Sequence, residues 1–433
     1  MKVNKINIVT LGCSKNVVDS EVLMYQLKRN GWQVVHNSND PSAKVVVINT
    51  CGFIGDAKEE AIDTIFDFIK AKNAGVIDKV FVIGCLVERY REELKKDIPE
   101  VDGVYGVAEL PSILNGLNSQ YFEDCTTRRE LTTPKHYAYL KISEGCNWGC
   151  SYCAIPMIRG KHISRSMESL VEEATILANG GAKELILIAQ DLTYYGLDLY
   201  KRRTIAELVQ KLSQIEGIEW IRLHYAYPAH FPEDLIDVIA SNPKVCKYLD
   251  IPLQHINSEM LHLMRRGIDR EQTIELVDKL REKIPDIAIR TTFIVGHPGE
   301  TDEKFDELLK FVTEYKFDRV GVFPYFHEEG TFAGENFSDD IPEEVKQKRA
   351  DVLMERQMEI SLDNNRGKIG KVIRVIIDSV DNDQAICRTQ WDSPEVDQEV
   401  IVSIPSGKSL IQGSFINVKI TSAQEYELYA ELA

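Results

Sequence analysis

Cys146, Cys150 and Cys153 stand close together in the run Cys146-Asn147-Trp148-Gly149-Cys150-Ser151-Tyr152-Cys153, just after an apolar strand over Tyr137–Ile142. Thiolates are soft ligands that suit zinc and iron–sulfur clusters. A closed structural zinc site takes four protein ligands and favours paired Cys-x2-Cys halves, so a zinc knuckle here would lack its fourth ligand. Three thiolates at this spacing instead leave one metal corner open.

Cys13, Cys51 and Cys85 form a second set. Each ends an apolar run, over Asn4–Leu11, Lys44–Asn49 and Lys79–Ile83, and each is preceded by Gly or Thr. These short runs suit strands buried on both faces of a parallel sheet. Helices are expected between them, from near Asp19-Ser20 to Asn30-Gly31, over Ala57–Lys72 and over Glu88–Lys96. Ligands of open α/β sheets bind beyond the carboxyl ends of the strands, so three cysteines at equivalent strand ends converge on one point. A single buried cysteine would be an ordinary core residue; three in register favour a second metal site, again with an open corner. Cys125 falls in a polar connector over 115–135, and neither it nor Cys246 or Cys387 joins either set.

Stepping along the centre of the chain, apolar runs at Tyr137–Ile142, Glu184–Ala189, Trp220–Tyr225, Tyr248–Pro252, Ile287–Val295 and Arg319–Phe326 alternate with helical stretches at Met167–Ala178, Thr204–Ile215, Glu271–Lys283 and Asp302–Glu314. Such strand–helix units predict a parallel, partly closed barrel, too short for the eight units of a full one. Polar groups follow several of its strands: Gln190-Asp191, His224, Gln254-His255 and the stretch Thr291 to Glu300 with Gly296. The highly charged stretch Glu343–Asn365 reads as a solvated bridging helix. Beyond Gly367 the pattern changes to short β runs with polar turns, which predicts a small antiparallel β-barrel.

The fold class is therefore α/β: an N-terminal open parallel sheet (1–120), a central six-unit partial (β/α) barrel (136–365) and a C-terminal β-barrel (366–433). Formal net charge is −17, and the segment from Arg366 onward carries an excess of acids. Both disfavour broad binding to nucleic acid and suit a basic protein partner. No apolar run is long enough to span a membrane, the N-terminus lacks a signal-peptide core, and the odd cysteine count argues against a disulfide framework; a reducing cytoplasm is expected.

The Cys-x3-Cys-x2-Cys run, with aromatic Tyr152 before its last cysteine, resembles the radical S-adenosylmethionine (SAM) superfamily. That resemblance implies a 4Fe–4S cluster on Cys146, Cys150 and Cys153 whose fourth iron is chelated by SAM, and a six-unit barrel. Thr10-Leu11-Gly12-Cys13-Ser14-Lys15-Asn16, Asn49-Thr50-Cys51-Gly52-Phe53-Ile54 and Gly84-Cys85-Leu86 resemble the N-terminal domain of methylthiotransferases, which implies a second 4Fe–4S cluster on Cys13, Cys51 and Cys85. Arg159-Gly160 and Ser164-Arg165 match the same family; Arg159 reads either as a binder of an acidic group or as a surface arginine. Arg388 to Asp397 resembles the TRAM domain of those enzymes. As polar or small groups at the strand ends of one barrel face, Gln190, Gln254 and Gly296 read as lining SAM, the Gly296 stretch resembling the family's strand-five region near the adenine; each taken singly reads as a turn or cap residue, and no catalytic side chain is singled out.

Lys15 is similar to a marker of the RimO-type branch, which modifies the β-carbon of an aspartate in a small-subunit ribosomal protein, uS12; on its own it reads as a solvated loop lysine. The implied partners are that basic ribosomal protein and an electron donor such as flavodoxin or ferredoxin, with no membrane, and with direct RNA contact open only through the TRAM-like module. An unactivated C–H bond offers no proton that a side-chain base could usefully remove, so a cofactor radical is required. The alternatives are a tRNA-adenosine methylthiotransferase of the MiaB-like branch, against which Lys15 and the acidic charge speak, and a noncatalytic iron–sulfur protein that docks on ribosomes, against which the open metal corners speak.

Overall fold

The computed structural model describes residues 4–433. Its N-terminal unit is a parallel sheet of β1 (Lys5–Thr10), β2 (Gln33–His36), β3 (Val45–Thr50), β4 (Lys79–Gly84) and β5 (Gly103–Tyr105), in the order β2-β1-β3-β4-β5. The three central strands are the three cysteine-ended runs. Alternate residues face opposite cores: Val46, Ile48, Val80 and Val82 pack on one side, and Ile6, Ile8, Val47 and Phe81 on the other. That is why these strands read as continuous apolar runs. The edge strands β2 and β5 are short and half-buried, and their patterns are correspondingly weak.

Helices α1 (Ser14–Arg29), α2 (Gly55–Asn73), α3 (Cys85–Asp97) and α4 (Leu110–Gly116) complete the unit. The first helix begins at Ser14, a turn earlier than Asp19-Ser20. Extended Cys13 (φ −93°, ψ 170°) occupies the cap position. Asp19, read as a cap, is instead an ion-pair partner of Lys141 and Arg159.

The central unit has β6 (Tyr137–Lys141), a short antiparallel pair of β7 (Ser143–Glu144) and β8 (Ile163–Ser164), then β9 (Glu184–Ile188), β10 (Trp220–Leu223), β11 (Val245–Asp250), β12 (Ala288–Val295) and β13 (Arg319–Pro324). The six-stranded sheet runs β13-β12-β11-β10-β9-β6 and is parallel throughout. It is therefore an open arc with two unjoined edges, as the six-unit pattern predicts. Its connections contain α5 (Ile155–Arg159), α6 (Met167–Asn179), α7 (Ile205–Ser213), α8 (Glu233–Ser241), α9 (Ser258–Leu263), α10 (Arg270–Lys283) and α11 (Asp302–Tyr315), and α12 (Phe332–Asn336) follows the last strand. Leu185, Leu187, Ile221, Leu223, Leu249 and Ile289 turn outward into the main core with these helices.

Helix α13 (Glu343–Arg366) corrects the reading of a solvated bridge. One stripe of it, including Ala350, Leu353, Gln357 and Ile360, is buried, and its apolar members join that same core. Charges on the other face obscured the stripe. Strands β14 (Val372–Asp381), β15 (Gln384–Thr389), β16 (Glu399–Ser403), β17 (Phe415–Ala423) and β18 (Glu427–Leu432) close into a barrel in the order β14-β15-β16-β18-β17. The barrel is not wholly antiparallel as expected. Strand β18 folds back along β17 and so runs parallel to β16, filling the gap that would otherwise leave two sheet edges.

The loop between β15 and β16 enters the inner face of the central arc. Arg319 pairs with Asp392, Arg290 with Asp397 (2.9 Å), Tyr248 hydroxyl donates to Asp397 (2.8 Å), and Ser393 lies 2.8 Å from His224 Nε2. Beneath them Arg222 Nε donates to Glu184 at 2.7 Å, while Arg388 Nη2 lies 2.8 Å from the other oxygen of Glu184 as an ion pair. Burial works to raise the Glu184 carboxyl, but Arg388 and Arg222 hold it down at about 2. A carboxyl held below its unfolded value stabilises the fold above that value and loses the contribution as pH falls through the folded one. Stability should therefore drop by about 3 kcal/mol as this group titrates between its ordinary pKa near 4.5 and about 2. At neutral pH, Glu184→Gln should destabilise by about 3–5 kcal/mol, because two buried guanidinium groups lose their counter-charge. Denaturant unfolding of both proteins across pH checks both values: the acid-dependent part should disappear in the variant.

Candidate active site

The loop of Cys146, Cys150 and Cys153 runs from β7 to α5, and β8 follows the helix to pair with β7. Gly145 turns it with φ +75°, and a Cβ there would lie 2.2 Å from the carbonyl oxygen of Lys161. Backbone bonds then fix the cysteines: Cys146 N–H donates to Gly160 O at 3.0 Å, Ser151 N–H to Met264 O at 3.0 Å and Cys153 N–H to Cys150 O at 3.1 Å. Trp148 lies flat on Tyr227, centroids 3.9 Å apart, and its indole N–H donates to Asp191 at 2.7 Å. The buried guanidinium of Arg266 stacks on the same tyrosine at 4.1 Å and places Nη1 3.4 Å from Cys150 Sγ. Burial pushes the Cys146 thiol up to about 12 and Cys153 upward as well. As thiolates these groups need a soft cation beside them.

The second set forms where the N-terminal strands end. Cys13 caps α1, Cys51 follows β3 and Cys85 opens α3. Glycines let the three strand ends touch. A Cβ on Gly12 would sit 2.8 Å from Cys51 Cβ, and one on Gly52 would sit 2.8 Å from the carbonyl carbon of Cys85. Asn16 ties the loops together, its amide donating to Leu11 O (2.8 Å) and Thr50 O (3.1 Å). Cys13 is exposed, and Lys15, a backbone N–H of Asn16 and Arg159 hold its thiol below its ordinary value. Burial pushes Cys85 up to about 11.

Arg159 joins the two sets. It ends α5, the helix that leaves the first cysteine loop, and is buried rather than a surface arginine. Its Nη2 donates to Cys85 Sγ at 3.2 Å and also to Asn16, while Nη1 donates to Asp19 at 2.8 Å and Glu144 at 3.1 Å. Ala154 and Ile158 of the same segment pack on Cys85. Both cysteine sets therefore border one junction between the N-terminal sheet and the carboxyl ends of the central strands.

The remaining sequence candidates distribute around this junction. Gln190, beyond β9, donates to Glu144 at 2.7 Å, and its own oxygen is buried without a partner. Gln254 is held by backbone bonds to Thr292 and Ile294 at φ +74°, and its side-chain oxygen is likewise buried and unpaired. Gly296 has φ +75°, its N–H donates to Glu300 at 3.0 Å, and the space a side chain would fill is taken by Lys346 of α13. Sequence reasoning missed Arg266, Tyr227 and Glu144. Only Glu144 carried a signal, lying directly before Gly145-Cys146. Cys125, Cys246 and Cys387 are buried, in the connector, on β11 and in the C-terminal barrel.

Among the described residues no three His, Cys, Asp or Glu side chains close around one ion-sized point. Thiolates on three different irons of a cluster stand farther apart than ligands of a single ion, so this spacing does not conflict with a cluster. The donor set fits one: two separate sets of three soft donors, each with a buried guanidinium in hydrogen-bond reach of a thiol to offset the charge of a thiolate-bound cluster.

Residues 140–312 match the Radical SAM superfamily, 5–106 the uncharacterized protein family UPF0004 and 369–433 the TRAM domain. The chain is 52% identical over 432 residues to the ribosomal protein uS12 methylthiotransferase RimO of Porphyromonas gingivalis, covering all of both chains. It is 54% identical over 434 residues to that of Flavobacterium psychrophilum, covering all of this chain and 99% of the other. The chain belongs to the RimO family of methylthiotransferases. It is a radical SAM enzyme, and its cofactors are SAM and two 4Fe–4S clusters. Two solved structures share the fold at low identity. The radical SAM methyltransferase TsrM from Kitasatospora setae, with tryptophan and a SAM analogue, matches at 16% identity and TM-score 0.57 over 74% of this chain and 73% of the other. The cobalamin-dependent SAM radical enzyme OxsB matches at 12% and 0.52, over 82% of this chain and 56% of the other.

Proposed function

We propose that this enzyme adds a methylthio group to the β-carbon of an aspartate in ribosomal protein uS12. Cys146, Cys150 and Cys153 hold the cluster that binds SAM, and Cys13, Cys51 and Cys85 hold the second. The observation that supports this reading most directly is Arg159, which leaves the first cysteine loop and donates to Cys85, so that both sets face one junction. When bound, the clusters and SAM supply the radical chemistry, the sulfur and the methyl group that the transfer needs.

The chain's own share is position and shielding. Arg266 and Arg159 support a thiolate in each set. Glu144 and Lys141 complete a buried ion cluster with Asp19 that holds Arg159 in place. Gln190 and Gln254, whose side-chain oxygens are buried and unpaired, would line SAM together with Gly296.

Three units divide the labour: a methylthiotransferase N-terminal domain over 1–120, a radical SAM core over 136–365 and a TRAM domain over 366–433. The TRAM domain, with net charge on the acidic side, suits the basic substrate protein better than it suits RNA. A flavodoxin or ferredoxin supplies electrons. No helix among the described residues is long and apolar enough to cross a membrane, in keeping with work in the cytoplasm.

Mass spectrometry tests the reading. Reconstituted enzyme given SAM, sulfide, a reductant and uS12 should raise the mass of one aspartate by about 46 Da, as SCH3 replaces H at the carbon attacked. tRNA in the same assay should stay unchanged. A methylthio group on tRNA with none on uS12 would transfer the assignment to the tRNA-modifying branch.

A further inference from the structure

Lys15 lies two positions after Cys13, in the first turn of α1, and is only 8% exposed. Its ammonium sits 3.5 Å above the ring of Tyr225, just beyond the end of β10. It therefore bridges from the N-terminal cysteine set to the mouth of the central arc. Among the described residues it makes no ion pair and no side-chain hydrogen bond. An aromatic face offsets only part of the cost of taking an ammonium out of water.

The neighbouring charges are already engaged. Asp250, the acid at the end of β11, takes the N–H of Tyr225 at 3.3 Å and faces Arg290 Nε at 3.7 Å. Arg159 is bound to Asp19 and Glu144, Lys141 to the same two acids, and Arg290 to Asp397. Arg266 donates to the carbonyl of Pro252 and to Cys150. Among the described residues Arg266 also lacks a carboxylate partner but is held by a carbonyl and a thiol, so Lys15 is the cation of this junction with neither an acid nor a hydrogen-bond acceptor in reach. Tyr225 is held at φ +63°, a left-handed conformation costly for a residue with a side chain, which keeps its ring beneath the ammonium.

We propose that Lys15 is the receptor for the carboxylate of the substrate side chain. The proposal rests on the uS12 aspartate reading above and deepens it. In an aspartate the carboxylate carbon is bonded directly to the β-carbon, so a charge-assisted bond from Lys15 to the carboxylate fixes the reacting C–H within one bond length of the anchored group. A nucleobase carries no carboxylate, and so cannot form the ion pair that anchors the reacting carbon. Lys15 acts on the substrate as a positioning residue and takes no part in breaking bonds.

The test is a double-mutant cycle on binding and turnover, with reconstituted holoenzyme and labelled uS12. Lys15→Met should weaken uS12 binding, and lower kcat/KM for the methylthio product, by about 30-fold, the scale of one hydrogen bond to a charged group. On unaltered enzyme, uS12 with its target Asp→Asn should lose affinity by about the same factor. The two changes together should cost little more than either alone, and Lys15→Arg should recover part of the affinity. Iron content and thermal unfolding verify that each variant is folded. Binding and turnover of Lys15→Met within threefold of wild type, full additivity of the two losses, or unchanged binding of the Asp→Asn substrate to wild-type enzyme would each overturn the assignment. The last measurement needs no enzyme variant, so it decides even where Lys15→Met misfolds. If unaltered enzyme leaves uS12 unmodified, the functional reading itself fails and takes this inference with it. That outcome is seen before any residue is changed.

Discussion

Enzyme with Cys146, Cys150 and Cys153 replaced by Ala should contain about half of the roughly eight irons of the reconstituted wild type, and should neither cleave SAM nor transfer a methylthio group. This is the largest effect expected from any change in the chain, because the side chains lost are the proposed anchors of the cofactor that starts the reaction. Replacing Cys13, Cys51 and Cys85 should remove the other half of the iron with a different outcome: some reductive SAM cleavage persists, while methylthio transfer is lost. Iron analysis and quantification of 5′-deoxyadenosine beside the methylthio product separate the two cases. Stoichiometric zinc in anaerobically purified protein would refute the cluster assignment for both sets.

Arg159→Met should come next in size. The substitution keeps much of the side chain's bulk but removes the donors to Asp19, Glu144, Asn16 and Cys85. Two acids then share Lys141 as their remaining cation. Burial works to raise Glu144, and Lys141 and Arg159 now hold it at about 2, so its carboxyl should move upward in the variant. A loss of about 3–5 kcal/mol in stability is expected from breaking a buried pair on one side. Because the residue spans the two cysteine sets, methylthio transfer should fall by about 100-fold or more, the scale of a small misplacement of reacting groups. SAM cleavage should fall less. Arg159→Lys should restore charge but not the forked contacts, and so only part of the transfer. Wild-type transfer by Arg159→Met would show that the cysteine sets keep their alignment without it.

The cysteine sets were legible because ligand chemistry is carried by residue type and spacing, and their strands because burial on both faces writes itself as a continuous apolar run. Cations were not legible in the same way. Lys15 reads as a solvated loop lysine, and Arg159 as either a binder of an acidic group or a surface arginine, until the partner elements arrive from elsewhere in the chain; their environments depend on Tyr225 and Cys85, contacts that no local pattern encodes. Strand β18 leaves a weak sequence pattern because its charged ends, Glu427 and Glu431, mask the buried Leu428 and Ala430. The stripe of α13 was hidden for a similar reason: charged residues fill the exposed face and several polar ones, such as Lys346, Arg349 and Gln357, are themselves buried.

The inward loop of the C-terminal barrel has a consequence for biosynthesis. Arg222, Arg290 and Arg319 are made well before Gln390, Asp392 and Asp397, the residues that receive them. While the chain is being translated, the central arc can assemble its outer helices, yet on its inner face Arg319 still lacks its acid, Arg290 has only Asp250 and Arg222 only Glu184. Chains fold from the N-terminus as they emerge, and a buried cation short of its partner resists closure. The barrel made last thus acts as an internal quality signal. A nascent chain stopped near Gly367 would be left with an expanded, protease-sensitive centre, and the arc would settle only when the final strands had left the ribosome.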